Sequence, residues 1–230
     1  DAGPVQSHQS AAFDGRYIYF APGYWGDPRK EDKHSGRVIR FDTRRGFRDG
    51  AAWRVYDASQ TGGLETVCFD GAAFDGRYVY FVPLLKGAVL RYDTAKDFGD
   101  PDGWAAYDAR KRNIGMCVGA VFDGRMLYFV PYMSGIVVRF DTSGDFADDR
   151  SWESIDAGNV GGLNTGGFDG GFFDGRFINF VPFVSPGKGG ERYEFHSNFL
   201  RYDTMKRFDD SAAWTSRGAA MTDGLETIGY

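Results

Sequence analysis

Phe74-Asp75-Gly76-Arg77-Tyr78-Val79-Tyr80-Phe81-Val82-Pro83 is the stretch that decides the fold of this chain. Asp75-Gly76 is a tight-hairpin signal, since both central positions of such a turn favour φ > 0. The run behind it is aromatic and β-branched, which suits a strand. Pro83 ends it, because proline cannot donate to a ladder. Ahead lies a short segment with small residues, 71–74. Behind, residues 88–92 alternate into another strand, Asp93-Thr94 starts a turn, and residues 104–107 make a fourth strand. Four short antiparallel strands in about 50 residues read as one blade of a propeller.

The same paragraph is written four times. Phe-Asp-Gly-Arg stands at residues 13–16, 74–77, 122–125 and 173–176, with spacings of 61, 48 and 51. Each copy leads to a proline (Pro22, Pro83, Pro131, Pro182), then to Arg-aromatic-Asp-Thr (40–43, 91–94, 139–142, 201–204), then to a tryptophan (Trp53, Trp104, Trp152, Trp214). A repeat of this period marks a propeller or solenoid. The shared motifs read as packing and turn chemistry, with small residues near an axis and tryptophan in the wider outer gap between blades. Gly224-Leu225-Glu226-Thr227 repeats Gly63-Leu64-Glu65-Thr66, so the chain stops where its own beginning takes over. The expectation is an all-β, four-bladed propeller with four antiparallel strands per blade. It forms one domain over 1–230, with repeats 8–68, 69–116, 117–167 and 168–230 and a ring closed where the termini meet. The rival is a half-ring that pairs with a second copy.

Bulk properties bound the function. The net charge is −5, which argues against nucleic acid or an anionic membrane surface as partner. No apolar stretch approaches the roughly 20 residues of a spanning helix. Cys68 and Cys117 are the two cysteines, too few for a disulfide scaffold, and buried free thiols are expected of them, with a bridge as the alternative. Nothing here selects a compartment, and either a monomer or a dimer fits.

Asp70-Gly71-Ala72-Ala73-Phe74, Arg77-Tyr78-Val79-Tyr80-Phe81 and Leu90-Arg91-Tyr92-Asp93 together resemble the hemopexin-like repeat, with a weaker likeness to Kelch-type blades. The hemopexin-like resemblance runs over all four repeats. It implies a four-bladed ring, often with ions held on the axis by the innermost strands, and a binding module. This chain lacks a cysteine pair joining its first and last repeats, and Ile, Leu or Val stands before the Arg-aromatic pair where that family has tryptophan.

Function is sought where the copies disagree. Nine residues before the phenylalanine of each motif, Glu65, Asn113 and Asn164 line up, and Glu226 joins them through the repeated Gly-Leu-Glu-Thr. Such oxygens could ring the axis and hold a hard cation such as calcium. Glu65 and Glu226 could act as acid or base. The alternative is that each caps its own loop by bonding backbone N–H groups. The stretch from the proline to the Asp of Arg-aromatic-Asp takes 10 residues in the middle copies but 20 and 21 in the outer ones. These insertions bring Tyr24 and Trp25 from the first copy and Arg192 and Tyr193 from the last. All three histidines break the repeat. His8, His34 and His196, with Glu226, would suit zinc or another transition metal.

The expected function is a single-site binder of a small molecule or carbohydrate, in an asymmetric pocket on one face where the insertions of the first and last blades rise over a common sector, with a divalent cation bound and no organic cofactor. Tyr24, Trp25, Tyr132, Phe183 and Tyr193 would supply aromatic walls, and Arg192, Asn113 and Asn164 polar contacts. The alternative is a metal-dependent hydrolase or lyase in the same pocket.

Overall fold

The computed structural model describes residues 7–24, 33–186, 193–219, 221–222 and 225–226, with Pro186 and the last two pairs described by backbone only. The chain divides into two compact units, Asp1–Arg110 and Lys111–Tyr230.

Unit one holds two blades. Blade 1 pairs His8–Phe13, Tyr17–Pro22, Arg37–Asp42 and Trp53–Asp57 in sequential antiparallel order. Blade 2 does the same with Phe69–Phe74, Tyr78–Pro83, Ala88–Asp93 and Trp104–Asp108. Unit two repeats the plan. Blade 3 consists of Cys117–Phe122, Met126–Pro131, Ile136–Asp141 and Trp152–Asp156. Blade 4 consists of Phe168–Phe173, Phe177–Pro182, Asn198–Asp203 and Trp214–Gly218. The last insertion adds a small hairpin, Val184–Pro186 against Tyr193–Phe195.

The two repeated motifs meet in one clamp. In blade 2, Asp75 Oδ1 accepts the N–H groups of Arg77 (2.8 Å) and Tyr78 (2.6 Å), and Oδ2 accepts the Tyr80 hydroxyl (2.7 Å). The Arg77 guanidinium reaches both oxygens of Asp93 at 3.3 and 2.9 Å, and the Thr94 hydroxyl donates to the Arg77 carbonyl at 2.7 Å. Arg16–Asp42, Arg125–Asp141 and Arg176–Asp203 repeat the ion pair at 2.8, 2.6 and 2.8 Å. The clamp also corrects the reading of the turn. Asp75 N–H donates to the Tyr78 carbonyl, so Gly76 and Arg77 are the central residues and Gly76, at φ +105, is the one of the two with positive φ. Asp75 is drawn out of the turn's centre because its carboxylate is the acceptor for the corner.

A second repeated device sets the tryptophans. Asp100 caps a short 3-10 turn, Pro101–Gly103, and Trp104 Nε1–H then donates back to the Phe98 carbonyl at 3.2 Å. Trp53, Trp152 and Trp214 do the same to Phe47, Phe146 and Phe208.

Alternation along each strand gives every blade two faces, here named front and back. In unit one the front of blade 1 (Tyr19, Ala21, Val38, Tyr56) packs on the back of blade 2 (Val79, Phe81, Leu90, Tyr92, Phe98, Trp104). Tyr56 stacks on Trp104 with centroids 4.5 Å apart and planes 5° off parallel. In unit two Tyr128 of the blade 3 front meets Tyr202 and Phe208 of the blade 4 back at 5.8 and 6.4 Å. Burying each such ring is worth about 1.5–3 kcal/mol.

Two faces depart from this burial. On the back of blade 1, Phe47 is 70% exposed, whereas its equivalents Phe98 and Phe208 are 0% and 4% exposed. On the front of blade 4, Phe199 is 48% exposed where Val89 of blade 2 is 0%.

Candidate functional site

One end of every blade is built by the same backbone bond. The residue after the proline donates its N–H to the carbonyl just before the first strand: Gly23 to Ser7, Leu84 to Cys68, Tyr132 to Met116 and Phe183 to Gly167, at 2.8–3.2 Å. The loop after the second strand and the loop into the first are thereby joined, and the insertions spring from this end. Buried Thr66 and Thr165 hold the entering loop, each donating its hydroxyl to the carbonyl of Ala58 or Ala157. Each also accepts an N–H, from Thr61 at 3.1 Å and from Val160 at 3.2 Å. The sequence reading passed over these threonines; the signal was their repetition in Leu-Glu-Thr and Leu-Asn-Thr.

In unit one, Tyr24 and His34 pair as an antiparallel bridge with rings 5.4 Å apart. The Tyr24 N–H donates to Ser7 Oγ at 2.8 Å, and the Ser7 hydroxyl donates to the Tyr24 carbonyl at 3.2 Å. His34 lines a hollow of about 200 Å³ with Ser35, Gly36, Arg37, Asp57 and Ser59. Burial pushes the Asp57 carboxyl up, but bonds from Ser59 and Arg37 outweigh it and hold the group below its ordinary value. Asp57 is therefore a charged partner of Arg37. His8 lies edge-on to Phe20 at 5.9 Å, its Nε2 buried without a hydrogen bond among the described residues. Burial lowers its pKa and favours the neutral ring. Glu65 is exposed and paired with Lys86 at 3.1 Å. Trp25 lies outside the described residues.

In unit two the expected aromatic walls come together. Tyr132 and Phe183 are stacked, with centroids 6.0 Å apart and planes 22° off parallel, and Phe195 meets Phe183 edge-on at 5.5 Å. Tyr132 and Phe183 are half-buried, and Phe195 and Tyr193 are exposed. Asn164 is exposed beside them. Its Nδ2 donates to Ser185 Oγ at 3.0 Å, its Oδ1 accepts the Gly166 N–H at 3.3 Å, and its carbonyl accepts Asn198 Nδ2 at 2.8 Å. Gly167 takes φ +86 and lies against Val184, where a Cβ would fall 1.8 Å from the carbonyl oxygen. The inserted hairpin is thus pressed onto the entering loop. Asn113 is exposed at φ +57, directly after the 3-10 turn Ala109–Arg112, and serves as the left-handed residue that ends it. Arg192 lies outside the described residues, and Glu226 is described by backbone only, paired with Met221.

His196 has a different role from the expected metal ligand. Its Nε2 lies 2.9 Å from the carbonyl oxygens of both Gly166 and Gly167, so this nitrogen carries the proton and donates. Its Nδ1 accepts the Asn198 N–H at 3.2 Å. Neither nitrogen has a lone pair left for a metal. Among the described residues no three His, Cys, Asp or Glu side chains form a group that could hold a metal ion. The zinc set read from the sequence draws on both units and includes Glu226, whose side chain lies outside the described residues. Cys68 and Cys117 are both buried and neither is in a disulfide, and burial pushes the Cys117 thiol well up.

No protein-family model matches the chain, and no curated protein matches it. Solved structures do. Virginiamycin B lyase from Staphylococcus aureus, in its selenomethionine form, matches at 10% identity over 98% of this chain and 74% of its own, with a TM-score of 0.52. The β-propeller domain of Cps50 (Swd1) from Myceliophteria thermophila matches at 13% identity over 92% of this chain and 57% of its own, with a TM-score of 0.50. The fold is that of a β-propeller. At these identities the likeness concerns fold alone.

Proposed function

We propose that this chain is a binding module that takes a small polar ligand, a sugar being the best-fitting chemistry, at the loop end of its fourth blade. The observation that supports this is the stacked, half-buried Tyr132–Phe183 pair, whose loop is joined to that of exposed Asn164 by the Phe183–Gly167 backbone bond and the Asn164–Ser185 side-chain bond. An aromatic platform with a few placed hydrogen-bonding groups is what a sugar ring, apolar on its faces and polar at its edge, needs for recognition. The hemopexin-like motif pattern points to a binding role as well. The bonds of Asn164 to Ser185 and Gly166 orient the amide before a ligand arrives, which lowers the ordering cost of binding.

An enzyme at this place needs an acid or base. Among the described residues here the carboxylate is that of Glu194, opposite Ser185 in the inserted hairpin and exposed, and His196 is bonded on both nitrogens. Glu65, the acid–base candidate with a described side chain, belongs to unit one and is paired with Lys86. The binding reading is therefore the one we carry, and it carries no metal. A glycan array followed by titration calorimetry on the best hit tests it. Tyr132→Ala and Phe183→Ala each lower affinity at least tenfold, and chelator leaves binding unchanged. Wild-type affinity in both variants sinks the reading.

A further inference from the structure

Three of the four blades set two arginines over the ring that opens their second strand. In blade 1 the guanidinium carbons of Arg16 and Arg40 lie 4.6 and 4.1 Å from the centre of the Tyr17 ring. In blade 2, Arg77 and Arg91 lie 5.0 and 4.2 Å from that of Tyr78. In blade 4, Arg176 and Arg201 lie 4.9 and 4.3 Å from that of Phe177. Blade 3 keeps both arginines, Arg125 and Arg139, but has Met126 in place of the ring.

Inside unit two a hollow of about 480 Å³ lies at this place, lined by Arg125, Met126 and Arg139 of blade 3 and by Phe173, Thr204 and Lys206 of blade 4. In unit one the matching place is filled, since Tyr17 packs with Phe74, the equivalent of Phe173, against the core between blades 1 and 2. Arg40 lies over two rings there, Tyr17 and, at 4.5 Å, Phe98. Arg139 keeps the second of these in Phe208, at 4.2 Å, and has methionine in place of the first. The Arg139 side chain is only 15% exposed, and a guanidinium withdrawn from water holds an aromatic face more strongly than one at the surface. The carboxylates of the hollow are engaged. Asp141 pairs with Arg125, Glu153 pairs with Arg139, and Asp123 accepts the corner donors of its own turn. Arg150, at the rim, pairs with Asp148. Lys206 differs: its Nζ donates to the Ala212 carbonyl at 2.8 Å and meets no carboxylate among the described residues. The hollow lies at the opposite end of the strand Met126–Pro131 from Tyr132.

We infer that this hollow is a second binding site, for a small aromatic carboxylate whose ring lies over Met126 and whose carboxylate meets Lys206. The ligand supplies the ring that the other three blades carry themselves. Arg125 and Arg139 then flank an aromatic face as their equivalents do, and Phe173 packs against it as Phe74 packs with Tyr17. The Met126 thioether is polarizable and adaptable, and it makes a favourable floor for a ring. Both halves of the ligand are needed. A neutral ring leaves the ammonium of Lys206 without an anion, and an aliphatic acid leaves the guanidiniums without a π face. The site is distinct from the one at Tyr132 and does not rest on it.

Titration calorimetry on the full chain tests this, with indole-3-acetate, 4-hydroxyphenylacetate, indole-3-acetamide and cyclohexylacetate as probes. The two aromatic acids bind, and the amide and the non-aromatic acid bind at least tenfold more weakly. Met126→Tyr restores the ring of blades 1 and 2 and abolishes binding, with unchanged far-ultraviolet circular dichroism. Lys206→Ala, a change at the surface, makes acid and amide equal, and it decides the matter if Met126→Tyr fails to fold. A wild type that binds neither aromatic acid at millimolar concentration overturns the inference, even if the hollow takes an aromatic side chain of another protein. So does a folded Met126→Tyr variant that binds as the wild type does, or a Lys206→Ala variant that still prefers the acid.

Discussion

Asp75 and its equivalents show how one side chain sets a blade corner. Asp123 accepts the N–H groups of Arg125 and Met126 at 2.9 and 2.7 Å and the Tyr128 hydroxyl at 2.9 Å. Asp123→Ala leaves these donors without their acceptor, two of them at a tight turn, and a cost of about 1–3 kcal/mol is expected. Urea unfolding measures it; a loss under half a kilocalorie per mole contradicts the account. Blade 4 shows the bond being kept when the residue changes, since Asn179 replaces the tyrosine and its Nδ2 donates to Asp174 at 3.0 Å. The aspartates at the other end of the clamp set an acid limit. Bonds from Arg16, Arg77, Arg125 and Arg176 are the main cause holding Asp42, Asp93, Asp141 and Asp203 below 3.8, with Asp141 at about 2. A carboxyl depressed in the folded state stabilises above its unfolded pKa and loses that contribution as pH falls through the folded one. Melting temperature should therefore hold from pH 7 to about 4 and fall between about 4 and 2. The arginines are largely exposed, so the fall is modest and salt-sensitive. A flat profile down to pH 2 contradicts it.

Blades are held together by the layer that each tryptophan anchors. Trp104 is buried against Tyr56, Tyr92 and Phe98. Trp104→Ala is expected to cost about 3–5 kcal/mol, the range for emptying a packed aromatic site. Trp53 has the same indole bond and its own-blade neighbours, but its outer side is open. In dilute solution Trp53→Ala should cost roughly half as much as Trp104→Ala, because the second layer of contacts is missing. Thermal unfolding of the two variants decides, and equal losses mean that the back of blade 1 is covered in the monomer. The same Phe, Asp and Trp device thus takes different energetic weight according to what lies across from it.

The blade plan was legible because it is local. The hairpin, the proline stop, the capped turn before tryptophan and the Arg–Asp clamp all join residues within one repeat, and four copies made their pattern visible. The front-and-back pairing of blades followed from strand alternation. The candidate site was legible only in part. Tyr132 and Phe183 do come together, and the insertion of the last repeat does rise beside them, because equal blades place equal positions at one end. The bonding of His196 is set by contacts that no spacing reveals: two glycine carbonyls and one backbone N–H occupy its nitrogens. What the sequence determined by itself is the repeating unit and the β-propeller fold, since periodic local bonds and binary patterning are written residue by residue. What only the tertiary structure decided is which side chains are engaged and which faces stay open. Both depend on neighbours far away in the chain: Gly166 for His196, and Tyr56 for Trp104.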